Sequence, residues 1–257
     1  MTTPTSTTVK PTDFPNQPRS ASASPPATID NVAFLLDQAG IGARYNSVKK
    51  RVEVTVPGLV PTAENADNVT MAHVMSLCAS HGISTGHVAE YVNAIADRHV
   101  FNPVADWIRS RPWDGEDRVQ AMLNTIVVQP DYPETLQRAL MHKWLRSAAA
   151  AAIMPDYKGR GVLTFQGAQG LGKTSWVKSL VSDPQLAKSV VKLDHHMDSS
   201  NKDSILGAIS HWIVEMGEVE SSLKKDLARL KGFITSDSDR IRRPYDRRER
   251  IVSHRVV

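Results

Sequence analysis

The sequence predicts an α/β protein. A parallel sheet with its helices is expected over residues 156–257, a helical lead-in over 101–155, and a small α+β module over 29–100. Three observations predict it. From Gly161 onward, short apolar runs alternate with segments of helical period, a rhythm that favours parallel strands joined by helices. A glycine-rich turn stands between the first of those runs and the first of those helices. Upstream, the period-two stretch Arg51-Val-Glu-Val-Thr-Val56 lies among helical patterns, as expected of a mixed module.

The 257 residues suffice for a sizeable core, and 41% hydrophobic with 23% charged residues is an ordinary globular composition. No window approaches eighteen consecutive apolar residues, so no membrane partner is expected. The N-terminus lacks a basic start followed by an apolar core, which argues against secretion. Cys78 stands alone. It makes neither an internal disulfide nor a cysteine-based zinc site, and a reducing cytosol is the expected compartment. The net charge of +4 is mild, but arginines crowd the C-terminal end (Arg240, Arg242, Arg243, Arg247, Arg248, Arg250, Arg255). A solvated surface and a nucleic-acid contact both suit them.

Residues 1–28 are dominated by Thr, Ser and Pro, with Val9 and Phe14 nearly the sole large apolar side chains. Such a stretch buries too little to offset its ordering entropy, and a disordered tail is expected. Asp30 is positioned to cap a helix carrying Val32, Leu35, Leu36 and Ala39 on one face, ended by Gly40. Ala43–Asn46 and Arg51–Val56 flank a polar turn at Ser47 and predict a hairpin. Helices follow over about 69–80 and 85–98. Asn102-Pro103 is a cap-plus-first-turn pair. Val119, Met122, Leu123 and Ile126 mark the next helix. Pro133 opens a longer one through Leu136, Leu140, Trp144, Leu145 and the alanines 148–152. Strands are then expected at 161–165, Val190–Leu193, Trp212–Val214 and from Ile251, with a helix through Trp176, Val177, Leu180 and Val181.

The turn is the most informative segment. Gly167-Ala168-Gln169-Gly170-Leu171-Gly172-Lys173-Thr174 matches G-x-x-x-x-G-K-[ST] without a gap, and Ser175 follows it. Glycines let the backbone turn tightly and aim N–H groups at phosphate oxygens at the positive end of a helix. Lys173 is then the group for the β- and γ-phosphates, and the Thr174 hydroxyl a ligand of Mg²⁺. The pattern predicts a P-loop NTPase sheet with ATP and Mg²⁺ as cofactors. The bland alternative is a Gly-rich turn with a surface lysine.

Such chemistry needs a carboxylate for Mg²⁺ and another to orient the attacking water. The candidates follow the apolar run Trp212–Val214. Glu218 is the first choice for the metal, Glu215 the second, and Glu220 reads as an exposed carboxylate.

With Trp113-Asp114-Gly115 upstream of the glycine turn, Trp212–Glu215 after it and Arg242 with Pro244-Tyr245 beyond, the chain resembles the virulence-associated protein E family, P-loop ATPases of phages and mobile islands that are similar to superfamily 3 helicases and often joined to a primase. The resemblance is carried by Phe101–Val104 with Trp113-Asp114-Gly115, by Lys143–Leu145, and by the glycine turn. Trp212–Glu215 with Glu218, Leu230-Lys231 with Phe233, and Arg242 with Pro244-Tyr245 complete it. It covers about residue 100 to the end. It implies an ATP-driven motor acting on DNA, single-stranded or at an origin, during replication of such an element in a bacterial cytoplasm. It also implies self-association into a ring, possible partnership with a primase, and an arginine finger reaching a neighbour's site. Arg242 is the leading candidate finger and Arg247 the second, with a surface or DNA-phosphate contact the alternative for each. Asp246 stands where the family pattern has glycine, and Val257 falls inside what the resemblance makes the next core strand, before its polar sensor residue. On this reading the chain is either a fragment of a longer one or a truncated protein with poor hydrolysis, and the sequence does not separate the two. The alternative function is a nucleotide-controlled replication-initiation or defence switch with slow or no hydrolysis. A P-loop small-molecule kinase is a third reading, without a recognisable acceptor lid.

Two weaker signals remain. Asp194, His195, His196 and Asp198 suggest a metal cluster, but adjacent histidines on a strand point to opposite faces, and a loop cluster is the expected outcome. Trp107, Trp113, Trp144, Trp176 and Trp212 are expected in the core rather than as base-stacking platforms.

Overall fold

The computed structural model describes residues 9–20, 22–154, 157–159, 161–198, 200–217, 231–236, 238–241 and 250–253, with 239–241 and 250–253 described by backbone alone. The chain divides into two compact units, Met1–Phe101 and Asn102–Val257. The architecture is mixed α/β, with small sheets and many helices.

In the first unit, helix α1 (Ile29–Gln38) buries Val32, Leu35 and Leu36, one face at helical spacing. Its cap is Thr28, whose hydroxyl accepts the Asn31 N–H at 3.3 Å, rather than Asp30, which lies inside the first turn. Strands β1 (Gly42–Asn46) and β2 (Arg51–Thr55) form the expected antiparallel hairpin, with Ala43 opposite Val54 and Tyr45 opposite Val52. The two-residue strand β3 (Val100–Phe101) adds in parallel to β1, giving the order β2-β1-β3. Helices α2 (Ala66–Ser80) and α3 (Val88–Asp97) complete a core of Val74, Cys78, Ile83, Val88, Val92 and Ala96 with the α1 face. Burial pushes the Cys78 thiol up to about 11, so it stays protonated.

The expectation of a disordered tail over 1–28 is corrected for residues 9–20 and 22–28, while residues 1–8 and 21 lie outside the described residues. Phe14 is 2% exposed and meets Phe34 edge-on at 5.6 Å between ring centroids. The buried amide of Asn31 holds the segment in place. Its Nδ2 donates to the carbonyls of Asn16 and Pro26, each at 2.9 Å, and its Oδ1 accepts the Asn16 N–H at 2.8 Å. A single aromatic and a fully bonded amide thus order a stretch whose composition alone does not.

In the second unit, α4 (Pro103–Arg109) begins as expected: Asn102 Oδ1 accepts from the N–H groups of Val104 and Ala105, and Pro103 fills the first turn. The Asn102 amide also donates to Ala152 O at 2.8 Å, tying α4 to the end of α6 (Glu134–Ile153). The short helix α5 (Val119–Leu123) precedes α6. Buried Ala148, Ala151 and Ala152 let neighbours approach α6 closely, and the Trp212 indole donates to Ala148 O at 2.9 Å. Trp107 packs edge-on against Trp212 with centroids 6.3 Å apart. Trp113 departs from the core expectation. It is 80% exposed in a loop, its indole N–H donating to Glu116 O at 3.1 Å. The same loop is closed by a two-bond ion pair between Arg118 and Asp114, each bond 2.7 Å.

After the glycine turn come α7 (Lys173–Ser179), α8 (Pro184–Val190), β4 (Val191–Lys192), α9 (Lys202–Ile209) and β5 (Ile213–Val214). Strands β4 and β5 pair in parallel, Val191 with Ile213 and Lys192 with Val214. The expected wider parallel sheet is not present among the described residues. Residues 161–165 form no strand. Val162–Phe165 instead line, with Ile213–Gly217, a cavity of about 140 Å³. The strand expected from Ile251 is also corrected in sense. Strand β7 (Arg250–Ser253) pairs antiparallel with β6 (Ser238–Ile241) as a separate two-stranded sheet, while residues 254–257 lie outside the described residues.

Candidate functional site

The glycine turn and the end of β5 meet. Gly170 (φ +84°) and Gly172 (φ +79°) occupy left-handed backbone that side chains strain, and Gly172 is the residue that leads into α7. Gly167 is close-fitted for another reason: a Cβ there would stand 3.2 Å from Leu171 Cδ1. Ala168, Gln169 and Leu171 form the exposed rim of the turn, Leu171 being 68% exposed. The Lys173 ammonium curls back and donates to the carbonyls of Gly167 (2.9 Å) and Ala168 (2.8 Å), which holds its charge over the mouth of the loop. Ser175 lies exposed one position beyond Thr174 in the first turn of α7.

Thr174 reaches the acidic strand. Its Oγ1 donates to Glu215 Oε1 at 2.8 Å, and the other carboxylate oxygen, Oε2, accepts the backbone N–H of Asp194 at 2.7 Å. Glu215 is itself fixed by main-chain bonds: its N–H donates to Lys192 O at 2.8 Å and its carbonyl accepts from His195 at 2.9 Å. The structure therefore brings together Lys173, Thr174 and Glu215, the second of the two acidic candidates. Glu218 and Glu220 lie outside the described residues, as do Arg242 and Arg247.

The chemistry of this donor set suits a hard divalent cation that keeps waters and takes phosphate oxygens. One hydroxyl and one carboxylate, beside an ammonium, are the protein groups Mg²⁺ uses in that setting. Among the described residues no group of three or more His, Cys, Asp or Glu is arranged to hold a metal, so the Asp194–Asp198 run is not one. His195 is instead buried at 7% exposure, and burial, reinforced by the Lys192 charge, lowers its pKa below the usual 6.5. Asp198 bonds Ser200, whose hydroxyl and N–H lower its pKa.

Sequence reasoning missed the role of Asp194. It stood out as a metal candidate for its side chain, whereas its backbone N–H is what touches Glu215. No local sequence signal marks a non-glycine residue at φ +51°, where this one sits.

Behind the turn, Trp176 packs edge-on against Phe165 at 5.3 Å between centroids, and its indole donates to Thr125 Oγ1 at 2.9 Å. These contacts anchor α7 to the segment before the loop and to the end of α5. No helix among the described residues is long and apolar enough to cross a membrane.

Fold and site together define a mixed α/β protein in which a glycine-rich loop closes on the carboxylate at the end of a short parallel strand. Residues 108–257, more than half of the chain, match the virulence-associated protein E-like domain, and the chain belongs to that family. The family is associated with phage replication proteins. No curated protein matches the chain.

Proposed function

We propose that the chain is a P-loop ATPase of a phage or mobile genetic element, a helicase-type motor acting on DNA during replication. The observation that carries the reading is the 2.8 Å bond from Thr174 to Glu215, which joins the two halves of a magnesium-nucleotide site across 41 residues of sequence. The family match supports the association with such elements.

In this reading the N–H groups of residues 167–173 and the Lys173 ammonium bind the ATP phosphates, displacing Lys173 from the two loop carbonyls it now bonds. Thr174 and Glu215 hold Mg²⁺, which supplies charge neutralisation at the transferred phosphoryl group when bound. Glu218 is the candidate for orienting the attacking water. Arg242, or Arg247 behind it, is the candidate finger in a neighbour's site within a ring, and a primase is a candidate partner.

The test is magnesium-dependent ATP turnover by purified protein, with and without single-stranded DNA. The reading expects turnover that DNA stimulates and that Lys173→Ala abolishes. Absence of turnover under both conditions, with nucleotide still bound, would replace the motor with a nucleotide-controlled switch.

A further inference from the structure

We propose that Asp194 is a positioning residue: a one-residue bulge there turns its backbone N–H onto Glu215 and sets the carboxylate that faces Thr174. The inference rests on the nucleotide-binding reading above and adds to it a device in the strand beside the loop.

In a regular parallel ladder a residue bonds, through its N–H and its C=O, to two residues that lie two apart on the neighbouring strand. Lys192 pairs with Val214, so the register puts Leu193 opposite Glu215. The Glu215 N–H follows that register and donates to Lys192 O. Its carbonyl does not. It accepts from His195 at 2.9 Å, where the register calls for Asp194. One extra residue is therefore inserted opposite Glu215, and it is Asp194, at φ +51°. The N–H displaced from the ladder is the one that donates to Glu215 Oε2 at 2.7 Å. Bulges re-aim groups in this way beside sites.

Two neighbours hold the bulge in shape. Gly217, two residues past Glu215, leaves room for the Asp194 side chain, because a Cβ at 217 would collide with Asp194 Oδ1. His195, the next residue along, is buried and its ring lies 3.5 Å from the Ser204 hydroxyl, which anchors the far side of the bulge. With Oε2 held by Asp194, the Glu215 carboxylate is left with Oε1 turned to Thr174. A strand without the insertion would spend the same N–H on the main chain and leave the carboxylate free to rotate.

The backbone conformation, rather than the Asp194 carboxylate, is what this account requires. Asn and Gly adopt left-handed φ readily, and β-branched residues do not. The experiment is binding of a fluorescent ATP analogue, with Mg²⁺ and with EDTA, to wild type, Asp194→Asn, Asp194→Gly and Asp194→Val, with Lys173→Ala as control. Wild type is expected to gain affinity with Mg²⁺, and Asn and Gly to keep that gain. Asp194→Val is expected to lose it by about 10-fold or more, as disturbed outer-shell partners of metal ligands do, with its affinity in EDTA unchanged. If Asp194→Val does not fold by circular dichroism, Gly217→Ala, which displaces the same side chain, is measured with the same expectation. A full Mg²⁺ gain in the Val or Ala variant overturns the proposal, as does equal loss in Asn, Gly and Val. Wild type that binds no magnesium-nucleotide removes the nucleotide reading and this inference with it. Wild type that binds, beside an unaffected Val variant, removes the bulge alone.

Discussion

The Thr174 hydroxyl donates to Glu215 Oε1 at 2.8 Å, so the residue after the loop lysine and the residue after β5 share one polar contact. Neither partner is buried, and water competes for both groups. That the two nevertheless face each other follows from their backbones: Thr174 in the first turn of α7, Glu215 pinned by main-chain bonds to Lys192 and His195.

Replacing Glu215 by Gln removes the negative charge and leaves one acceptor oxygen, which the Asp194 N–H requires, so that the amide NH2 faces the Thr174 hydroxyl. The fold should survive, because the main-chain bonds of residue 215 are untouched. Magnesium-dependent turnover should fall by about 100-fold or more, the scale of several kcal/mol of lost charge stabilisation. Steady-state ATP hydrolysis at saturating Mg²⁺ reads this directly, and turnover within a fewfold of wild type would assign the metal role elsewhere, Glu218 being next.

Trp212→Phe tests the tie between α6 and β5. The change removes the indole N–H that reaches Ala148 O and part of the volume beside Trp107. A loss of about 1–3 kcal/mol is expected in denaturant unfolding, from the lost buried hydrogen bond and an imperfectly filled space. Unchanged stability would mean that the contact carries little.

Phe14→Ala tests whether the N-terminal segment belongs to the fold. The ring is 2% exposed and packs on Phe34, so its loss should cost about 3–5 kcal/mol, visible as a lower unfolding midpoint of the first unit. A variant as stable as wild type would return the segment around Phe14 to the status of a tail.

The Asp114 carboxyl offers a pH test. Its hydrogen bonds from the Arg118 guanidinium, more than any other cause, hold it at about 2 against an ordinary 3.8. Since the folded value lies below the unfolded one, the ion pair supports the loop above pH 3.8 and that support disappears as pH falls toward 2. Carboxyl titration by NMR should show a midpoint near 2 in wild type and a return toward the ordinary value in Arg118→Ala. A wild-type midpoint near 3.8 would contradict the pairing.

What was legible in the sequence was local. The glycine turn with Lys173 and Thr174 is written in contiguous residues, and the left-handed φ at Gly170 and Gly172 shows why those positions carry glycine. The β1–β2 hairpin was equally legible, because alternation in Val52, Val54 and Val56 reports one buried face. Order in the segment around Phe14 was not, since it depends on Asn31, a residue outside that segment. The contact between Thr174 and Glu215 was not legible either, and Glu218 lies outside the described residues. Strand β5 is two residues long, and its end is defined by bonds to Lys192 and His195 rather than by any pattern around it. The parallel sheet was over-read for a similar reason: an apolar run at 161–165 specifies burial, not a pairing partner, and here it lines a cavity. The antiparallel pairing of β7 depends on β6, which the apolar pattern did not single out.

In the proposed function the loop at 167–175 holds a magnesium-nucleotide through Lys173 and Thr174. Isothermal titration of Mg²⁺–ATP into wild type and Lys173→Ala tests it most directly. The account predicts one binding event per chain in wild type, weakened by about 10-fold or more when the ammonium is removed. Failure of the folded wild-type protein to take up nucleotide, or equal uptake by both proteins, would contradict it.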